Sequence, residues 1–181
     1  ISPSGSTQRA CGTGSADAAT YYLDSKLGND AASGTSESLP WRTLGRLGSV
    51  DLQPGDAVLL RAGSVWVEPL TIDDNGIDGR PIAIKRYGKG SPPRITRSAI
   101  GVFATKSSAG AVIARNYVGY NNRMFDLTRE PDWDDAGAFG VLLHGSGANV
   151  GYNTINGHSA FSYDFWRDGS AVEIYGATGS R

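Results

Sequence analysis

Apolar and polar residues alternate in two short segments near the end of the chain, and the two segments share one pattern. Residues 141–145 read Val-Leu-Leu-His-Gly, and residues 172–176, 31 positions later, read Val-Glu-Ile-Tyr-Gly. Side chains of a β-strand point to alternate faces of its sheet. The pattern therefore predicts two strands whose interior residues are Val141, Leu143, Val172 and Ile174. The residues predicted to face outward are Leu142, His144, Glu173 and Tyr175.

A second pattern repeats at nearly the same distance. Residues 118–122 read Val-Gly-Tyr-Asn-Asn, and residues 150–154, 32 positions later, read Val-Gly-Tyr-Asn-Thr. Self-similarity at a fixed period is typical of solenoids, in which each repeat forms one rung and matching positions stack. We therefore expect Leu142 beside Glu173 and His144 beside Tyr175, on strands about 4.8 Å apart. The recurring asparagines are expected to stack at a rung corner: Asn121, Asn122 and Asn153.

The first half of the chain contains short elements separated by turns. Strand patterns cover residues 21–24, 57–61, 68–72 and 81–87, with glycine, proline and aspartate between them. A short helix is predicted over residues 40–47, because Pro40 suits a first helical turn. Apolar residues then follow at every third position: Trp41, Leu44 and Leu47. The 25 glycines and 8 prolines among 181 residues favour an all-β chain of many short strands.

Charge and hydrophobicity argue against two classes of partner. The net charge is −1, from 17 basic and 18 acidic side chains, and no basic run contains interleaved aromatic residues, so we expect no nucleic-acid binding. No apolar run approaches the roughly 18 residues of a membrane span, so we expect no membrane partner. The single cysteine, Cys11, permits no intrachain disulfide bond. It lies in a Ser/Gly/Ala-rich leader, where a tail thiol is favoured over a lipid anchor.

Residues 21–95 resemble a known superfamily. The phrases that carry the resemblance include Tyr-Tyr-Leu-Asp at 21–24, Pro-Trp-Arg-Thr-Leu at 40–44 and Leu-Gln-Pro-Gly-Asp-Ala-Val-Leu-Leu-Arg-Ala-Gly at 52–63. They are similar to the opening of pectate-lyase-like proteins, many of which are secreted bacterial enzymes that degrade polysaccharides. The resemblance implies a right-handed parallel β-helix with a short N-terminal capping helix, and a secreted protein.

This fold implies three regions in the chain. We expect a flexible leader at residues 1–20, an N-terminal cap at 21–56 and β-helix rungs at 57–181. The sequence stops at Arg181, just after a predicted strand. The open end of a parallel stack exposes backbone and interior. We therefore expect a stack that is incomplete at its C-terminal side and is completed by a further segment or a second chain.

The insertion at residues 158–169 combines aromatic, acidic and basic side chains. Aromatic faces lie against pyranose rings, while carboxylates and guanidinium groups bind sugar hydroxyls. Together with the outward strand face, the insertion predicts a substrate-binding set: His144, His158, Tyr163, Trp166, Arg167 and Tyr175. Glycosidases use two carboxylates, one protonated and one ionised, and the catalytic candidates are Glu173, Asp168 and Asp164. The alternative is a solvated rung face beside a loop that packs on its own aromatic residues.

The favoured function is hydrolysis of glycosidic bonds in a polysaccharide, without a cofactor. One alternative is a polysaccharide lyase, which neutralises a uronate with calcium or arginine and removes a proton with a base. The basic and phenolic candidates for that chemistry are His144, Tyr163, Arg167 and Tyr175. The other alternative is a glycan-binding or adhesion β-helix that carries out no chemistry.

Two acidic clusters lie outside the favoured site. Residues 73–75 with Asp78 could supply oxygen ligands to calcium, although a turn that bonds its own backbone is favoured. Residues 132–135 read Asp-Trp-Asp-Asp and are expected either to line a groove or to lie in solvent.

Overall fold

The computed structural model describes residues 17–127, 135–163 and 166–181. The strands of the first half are β1 (Thr20–Leu23), β2 (Ala57–Arg61), β3 (Val65–Trp66), β4 (Leu70–Ile72), β5 (Ala83–Tyr87), β6 (Arg94–Thr96) and β7 (Ile100–Ala104). Those of the second half are β8 (Val112–Ala114), β9 (Tyr117–Gly119), β10 (Met124–Asp126), β11 (Ala136–Gly137), β12 (Phe139–Leu143), β13 (Asn149–Gly151), β14 (Thr154–Asn156), β15 (Ala160–Ser162), β16 (Trp166–Asp168) and β17 (Ser170–Ile174). A 3-10 helix, Gly45–Ser49, lies between β1 and β2.

Three parallel sheets run along the molecule. Sheet A has the order β1-β2-β5-β8-β13, sheet B the order β3-β6-β9-β14, and sheet C the order β4-β7-β12-β17. Each rung passes through the three sheets in turn, so each strand pairs with the equivalent strand of the next rung. The predicted all-β parallel β-helix is thereby confirmed. Two antiparallel hairpins, β10–β11 and β15–β16, extend between sheets B and C on consecutive rungs.

The core consists of aliphatic columns inside the coil. In sheet A, Val58, Ile84 and Ile113 occupy paired positions and are fully buried. The equivalent column of sheet C contains Leu70, Val102 and Val141, which are also fully buried. Full burial of one such side chain contributes about 1.5–3 kcal/mol, so the columns hold the rungs in register.

The predicted register of β12 and β17 is confirmed. Leu142 pairs with Glu173, and Val141 pairs with Val172. Two expectations about exposure were wrong. Leu142 is only 5% exposed, since its paired neighbours Phe103 and Glu173 lie on either side of it. Val172 and Ile174 are 38% and 51% exposed, because no described strand pairs with the far edge of β17.

The second sequence repeat does not stack on itself. Val118 belongs to sheet B and pairs with Ile155, whereas Val150 belongs to sheet A and pairs with Ile113. The two copies are similar because each ends at a corner, where Tyr120 (φ 56°) and Tyr152 (φ 57°) are left-handed. The same corner chemistry therefore occurs at two different corners of the coil.

The predicted stacking of Asn121 and Asn122 with Asn153 is consequently wrong. Asn153 instead accepts a hydrogen bond from the backbone N–H of Asn116, at 2.9 Å. Buried Asn121 accepts a hydrogen bond from the backbone N–H of Ser98, at 3.2 Å. Asparagines do bond along the corners, as expected, but with partners that the repeat did not indicate.

The N-terminal end is covered without the predicted helix over 40–47. In the described residues there is no α-helix, and the 3-10 helix begins only at Gly45. Trp41 makes a parallel bridge to Leu23 and stacks on Tyr21 at 5.1 Å, so its backbone is used for β-pairing. Only Leu47 lies in the 3-10 helix, whereas Trp41 and Leu44 precede it, and all three are buried. Among all the described residues, no helix is long and apolar enough to cross a membrane.

Candidate functional site

A column of rings runs across the outer face of sheet C. His144 follows β12, Tyr175 follows β17, and their ring centroids are 5.3 Å apart. On the other side, Phe103 of β7 meets the His144 ring edge-on at 5.1 Å. The prediction that His144 lies beside Tyr175 is thus confirmed. Sequence reasoning missed Phe103, although the alternation of residues 100–104 could have indicated it.

Glu173 lies next to this column, half-buried on β17 and paired with apolar Leu142. Burial lowers the pKa of His144 below its ordinary value, and the positive charge of Lys106 lowers it further. The lowered pKa favours the neutral imidazole, in which one nitrogen donates and the other accepts a hydrogen bond. A carboxylate, a neutral imidazole and exposed Tyr175 share one open face, which suits contacts with a polyhydroxyl ligand.

The β15–β16 hairpin places aromatic side chains beside sheet C. Trp166 is 79% exposed and has a left-handed backbone (φ 66°), a strained conformation for a bulky residue. Such strain is concentrated at functional sites. Phe161 and Tyr163 pack edge-to-face at 5.1 Å, and exposed Arg167 pairs with Phe161 in the hairpin register. The hairpin thus presents Trp166 and Arg167 to solvent, as a substrate-binding role requires.

Asp135 links the loop before β11 to the next hairpin. Its buried carboxylate accepts a hydrogen bond from the backbone N–H of Tyr163. Sequence analysis expected residues 132–135 to line a groove or to be solvated, and for Asp135 both expectations are wrong, because it fastens the two hairpins together. Residues 132–134 lie outside the described part of the chain.

The second predicted carboxylate, Asp168, lies at the base of the β15–β16 hairpin. It is half-buried and accepts a hydrogen bond from the N–H of Gly169 at 2.6 Å. Glu173 lies three strand positions beyond Ser170, which corresponds to roughly 10 Å along β17. The pairing of Asp168 with Glu173 stays a prediction. The third candidate, Asp164, lies outside the described residues.

The ring of His158 does not face the ring column of sheet C, so its predicted contact with substrate is contradicted. Both of its ring nitrogens are shielded from solvent. The ring lies against Gly140, where an added Cβ would be 2.8 Å from Nε2. Burial lowers the pKa of His158, against an opposing contribution from the backbone of Val118. The left-handed Gly157 (φ 69°) immediately precedes it at the rung corner, where the chain turns.

One aspartate of the acidic cluster at residues 73–78 takes part in a structural hydrogen bond. Asp74 accepts a hydrogen bond from the backbone N–H of Leu52 at 3.0 Å. Burial raises the pKa of Asp74, and the neighbouring charges of Asp73 and Asp51 act in the same direction. Within the described residues, no three His, Cys, Asp or Glu side chains come together as a group that could hold a metal ion.

A further groove lies on another face, the outer side of sheet B. A cavity of about 610 Å³ opens on the outer side of sheet B and contains three arginines among its lining residues: Val65, Val67, Arg94, Thr96, Arg97, Tyr120, Asn122 and Arg123. Sequence analysis missed it, because Arg123 lies 26 positions after Arg97 and a net charge near zero conceals the cluster. The ring column of sheet C lies on a different face, which carries the half-buried carboxyl group of Glu173.

Three parallel sheets in one coil, with a polar and aromatic outer face flanked by hairpins, define a parallel β-helix. No family model matches the chain. A lacto-N-biosidase from Bifidobacterium longum subsp. longum is 45% identical over 73 residues, which are 38% of this chain and 5% of the relative.

Solved structures agree on the fold. A GH136 lacto-N-biosidase from Eubacterium ramulus has a TM-score of 0.58 at 20% identity, over 90% of this chain and 34% of that one. A pectate lyase has a TM-score of 0.60 at 17% identity, over 88% of this chain and 36% of that one. The chain therefore spans about a third of the length of these structures. The predicted resemblance to pectate-lyase-like β-helix proteins is confirmed.

Proposed function

We propose that this chain is part of a secreted carbohydrate-active enzyme that hydrolyses glycosidic bonds on the outer face of sheet C. The observation that carries the proposal is the position of Glu173 beside the ring column of Phe103, His144 and Tyr175. Two relatives are by name lacto-N-biosidases, which act on a glycan. Their likeness supports hydrolysis over elimination and suggests oligosaccharides ending in lacto-N-biose as first substrates.

Each side chain has a distinct part in the proposed reaction. Glu173 is one carboxylate of the acid–base pair, with Asp168 as the second and Asp164 as a further candidate. One carboxyl group protonates the leaving oxygen, and the other acts as base or nucleophile. Neutral His144 and Arg167 bind sugar hydroxyls, and exposed Trp166 and Tyr175 stack on pyranose faces. Paired carboxylates need no metal for this reaction, so we propose that no cofactor takes part.

Replacing Glu173→Gln tests the proposal, because glutamine keeps the shape and removes the proton transfer. We expect kcat to fall by about 100-fold to 10,000-fold, with a much smaller change in KM. Glu37→Gln, at an exposed position away from sheet C, is the matched control and should keep full activity. A Glu173→Gln variant with unchanged kcat would remove this residue from the mechanism.

Identification of the reaction product separates the alternative functions. A lyase leaves an unsaturated uronate that absorbs ultraviolet light, whereas hydrolysis adds water and creates no such chromophore. Two observations favour the lyase alternative. The fold is similar to that of a pectate lyase, and the cation of Lys106 lies beside His144. Activity that disappears with a calcium chelator would also favour it. Glycan binding without any product would instead favour an adhesion module. In each case a further segment or second chain is proposed to complete the stack beyond β17.

A further inference from the structure

The groove on sheet B contains a concentration of positive charge that hydrolysis on sheet C does not use. Its lining includes Arg94, Arg97 and Arg123, and none of the described acidic residues contributes to it. All three guanidinium groups belong to exposed residues, and none forms an ion pair within the described part of the chain. A protein with a net charge of −1 thus brings three arginine side chains together in one cavity.

The arginines are held by rigid elements of the coil. Arg94 lies on β6, and its guanidinium is 4.8 Å from the centre of the Tyr117 ring on β9. A cation stacked on an aromatic face is oriented, while its N–H groups stay available for an anion. Arg97 has a left-handed backbone (φ 63°), and its N–H donates a hydrogen bond to the carbonyl of Tyr120. Its position at the corner is therefore fixed by the next rung.

An aromatic surface lies next to these cations. Tyr120 is 49% exposed, and one side of its ring rests on Gly157, where an added Cβ would be 2.9 Å from the ring. A second cavity of about 330 Å³ shares Arg94 and Tyr120 with the first and continues past Tyr117. The groove thus combines guanidinium forks, an exposed aromatic ring and apolar Val65 and Val67 in an extended path.

We propose that this groove binds an acidic sugar unit of a glycan, one that carries a carboxylate or a sulfate ester. Arginine pairs bidentately with such oxyanions, and the face of Tyr120 accepts the apolar side of the pyranose ring. A cavity of about 610 Å³ has the size of an ordinary small-ligand site. Because sheets B and C are different faces of the coil, the groove is separate from Glu173, and it holds the glycan without taking part in its cleavage.

Binding measured by calorimetry tests the proposal with three trisaccharides: a galacturonic acid trimer, a sulfated galactose trimer and the neutral galactose trimer. We expect at least one acidic trimer to bind about tenfold or more tightly than the neutral one, and its affinity to fall as salt is added. The double variant Arg97→Asn with Arg123→Gln should lose at least about tenfold of that affinity. Asparagine is chosen at position 97 because it tolerates a left-handed backbone.

Arg115→Asn is the matched control. Arg115 has the same left-handed backbone as Arg97 (φ 63°), and its guanidinium stacks on Tyr152 as that of Arg94 stacks on Tyr117. It lies outside the cavity. Its substitution should change affinity by less than about twofold. Equal binding of acidic and neutral trimers by the native protein would overturn the proposal, and this measurement needs no variant. An equal loss in the double variant and in Arg115→Asn would also overturn it.

The Glu173→Gln variant keeps this result independent of the proposed hydrolysis. It should bind the acidic trimer as tightly as the native protein. Arginine-dependent binding by a chain without hydrolase activity would contradict only the function of sheet C. A loss of acidic-trimer affinity in Glu173→Gln, together with none in the arginine variant, would place the anion site on sheet C. That result would overturn the proposal that the groove on sheet B binds the acidic sugar.

Discussion

Left-handed residues decide where each rung turns. Arg115 and Tyr152 lie between sheets A and B, while Arg97 and Tyr120 lie between sheets B and C, and each of the four has a φ between 56° and 63°. Each is followed by a polar residue that bonds across the corner, as Asn153 does to the N–H of Asn116. The bonds satisfy backbone groups that the turn would otherwise leave unpaired. The backbone of a corner residue is therefore fixed by the next rung.

A buried histidine gives one test at this scale. Burial lowers the pKa of His158 in the native protein, whereas the unfolded chain protonates near the ordinary value of about 6.5. Below that pH the unfolded state binds more protons than the native state, so the free energy of unfolding falls as pH falls. We expect His158→Gln to reduce this slope between about pH 7 and about pH 5, as measured by urea unfolding. Equal slopes for the two proteins would contradict the assignment.

Short strands limit what sequence can reveal about the elements. The predicted strand over 57–61 matches β2, and that over 81–87 contains β5, because five residues are enough for a hydrophobic pattern to appear. The strands β3 and β6 have two or three residues and show no alternation, so sheet B could not be predicted. The repeat of Val-Gly-Tyr-Asn identified real corners but could not distinguish which corner each copy forms.

Close approach of the backbone at Gly140 gives a test of how the elements pack. An added Cβ there would contact the carbonyl oxygen of Ala171 and lie 2.6 Å from Ile155 and 2.8 Å from His158. We expect Gly140→Ala to destabilise the protein by about 1–3 kcal/mol, the usual cost of overpacking. Gly48→Ala is the control, because nothing lies within 4 Å of its added Cβ. Calorimetric melting of both variants measures the difference, and equal melting temperatures would contradict the described packing.

At the scale of the whole molecule, two outer faces differ in chemistry. Sheet C carries Glu173 and the ring column, while sheet B carries the arginine groove. The outward face of sheet C could be predicted because one repeat preserves its register. The groove could not, since its residues come from separate rungs and composition averages over the entire surface. The inward turn of His158 was likewise invisible, because it depends on the close approach of Gly140 from the preceding rung.

The most direct test of the proposed function is a crystal structure of the Glu173→Gln variant with an uncleaved oligosaccharide. The account predicts a sugar chain along sheet C, stacked on Tyr175 or Trp166, with its glycosidic oxygen within about 3 Å of the side chain at position 173. An oligosaccharide bound elsewhere, with position 173 in contact only with solvent, would contradict it.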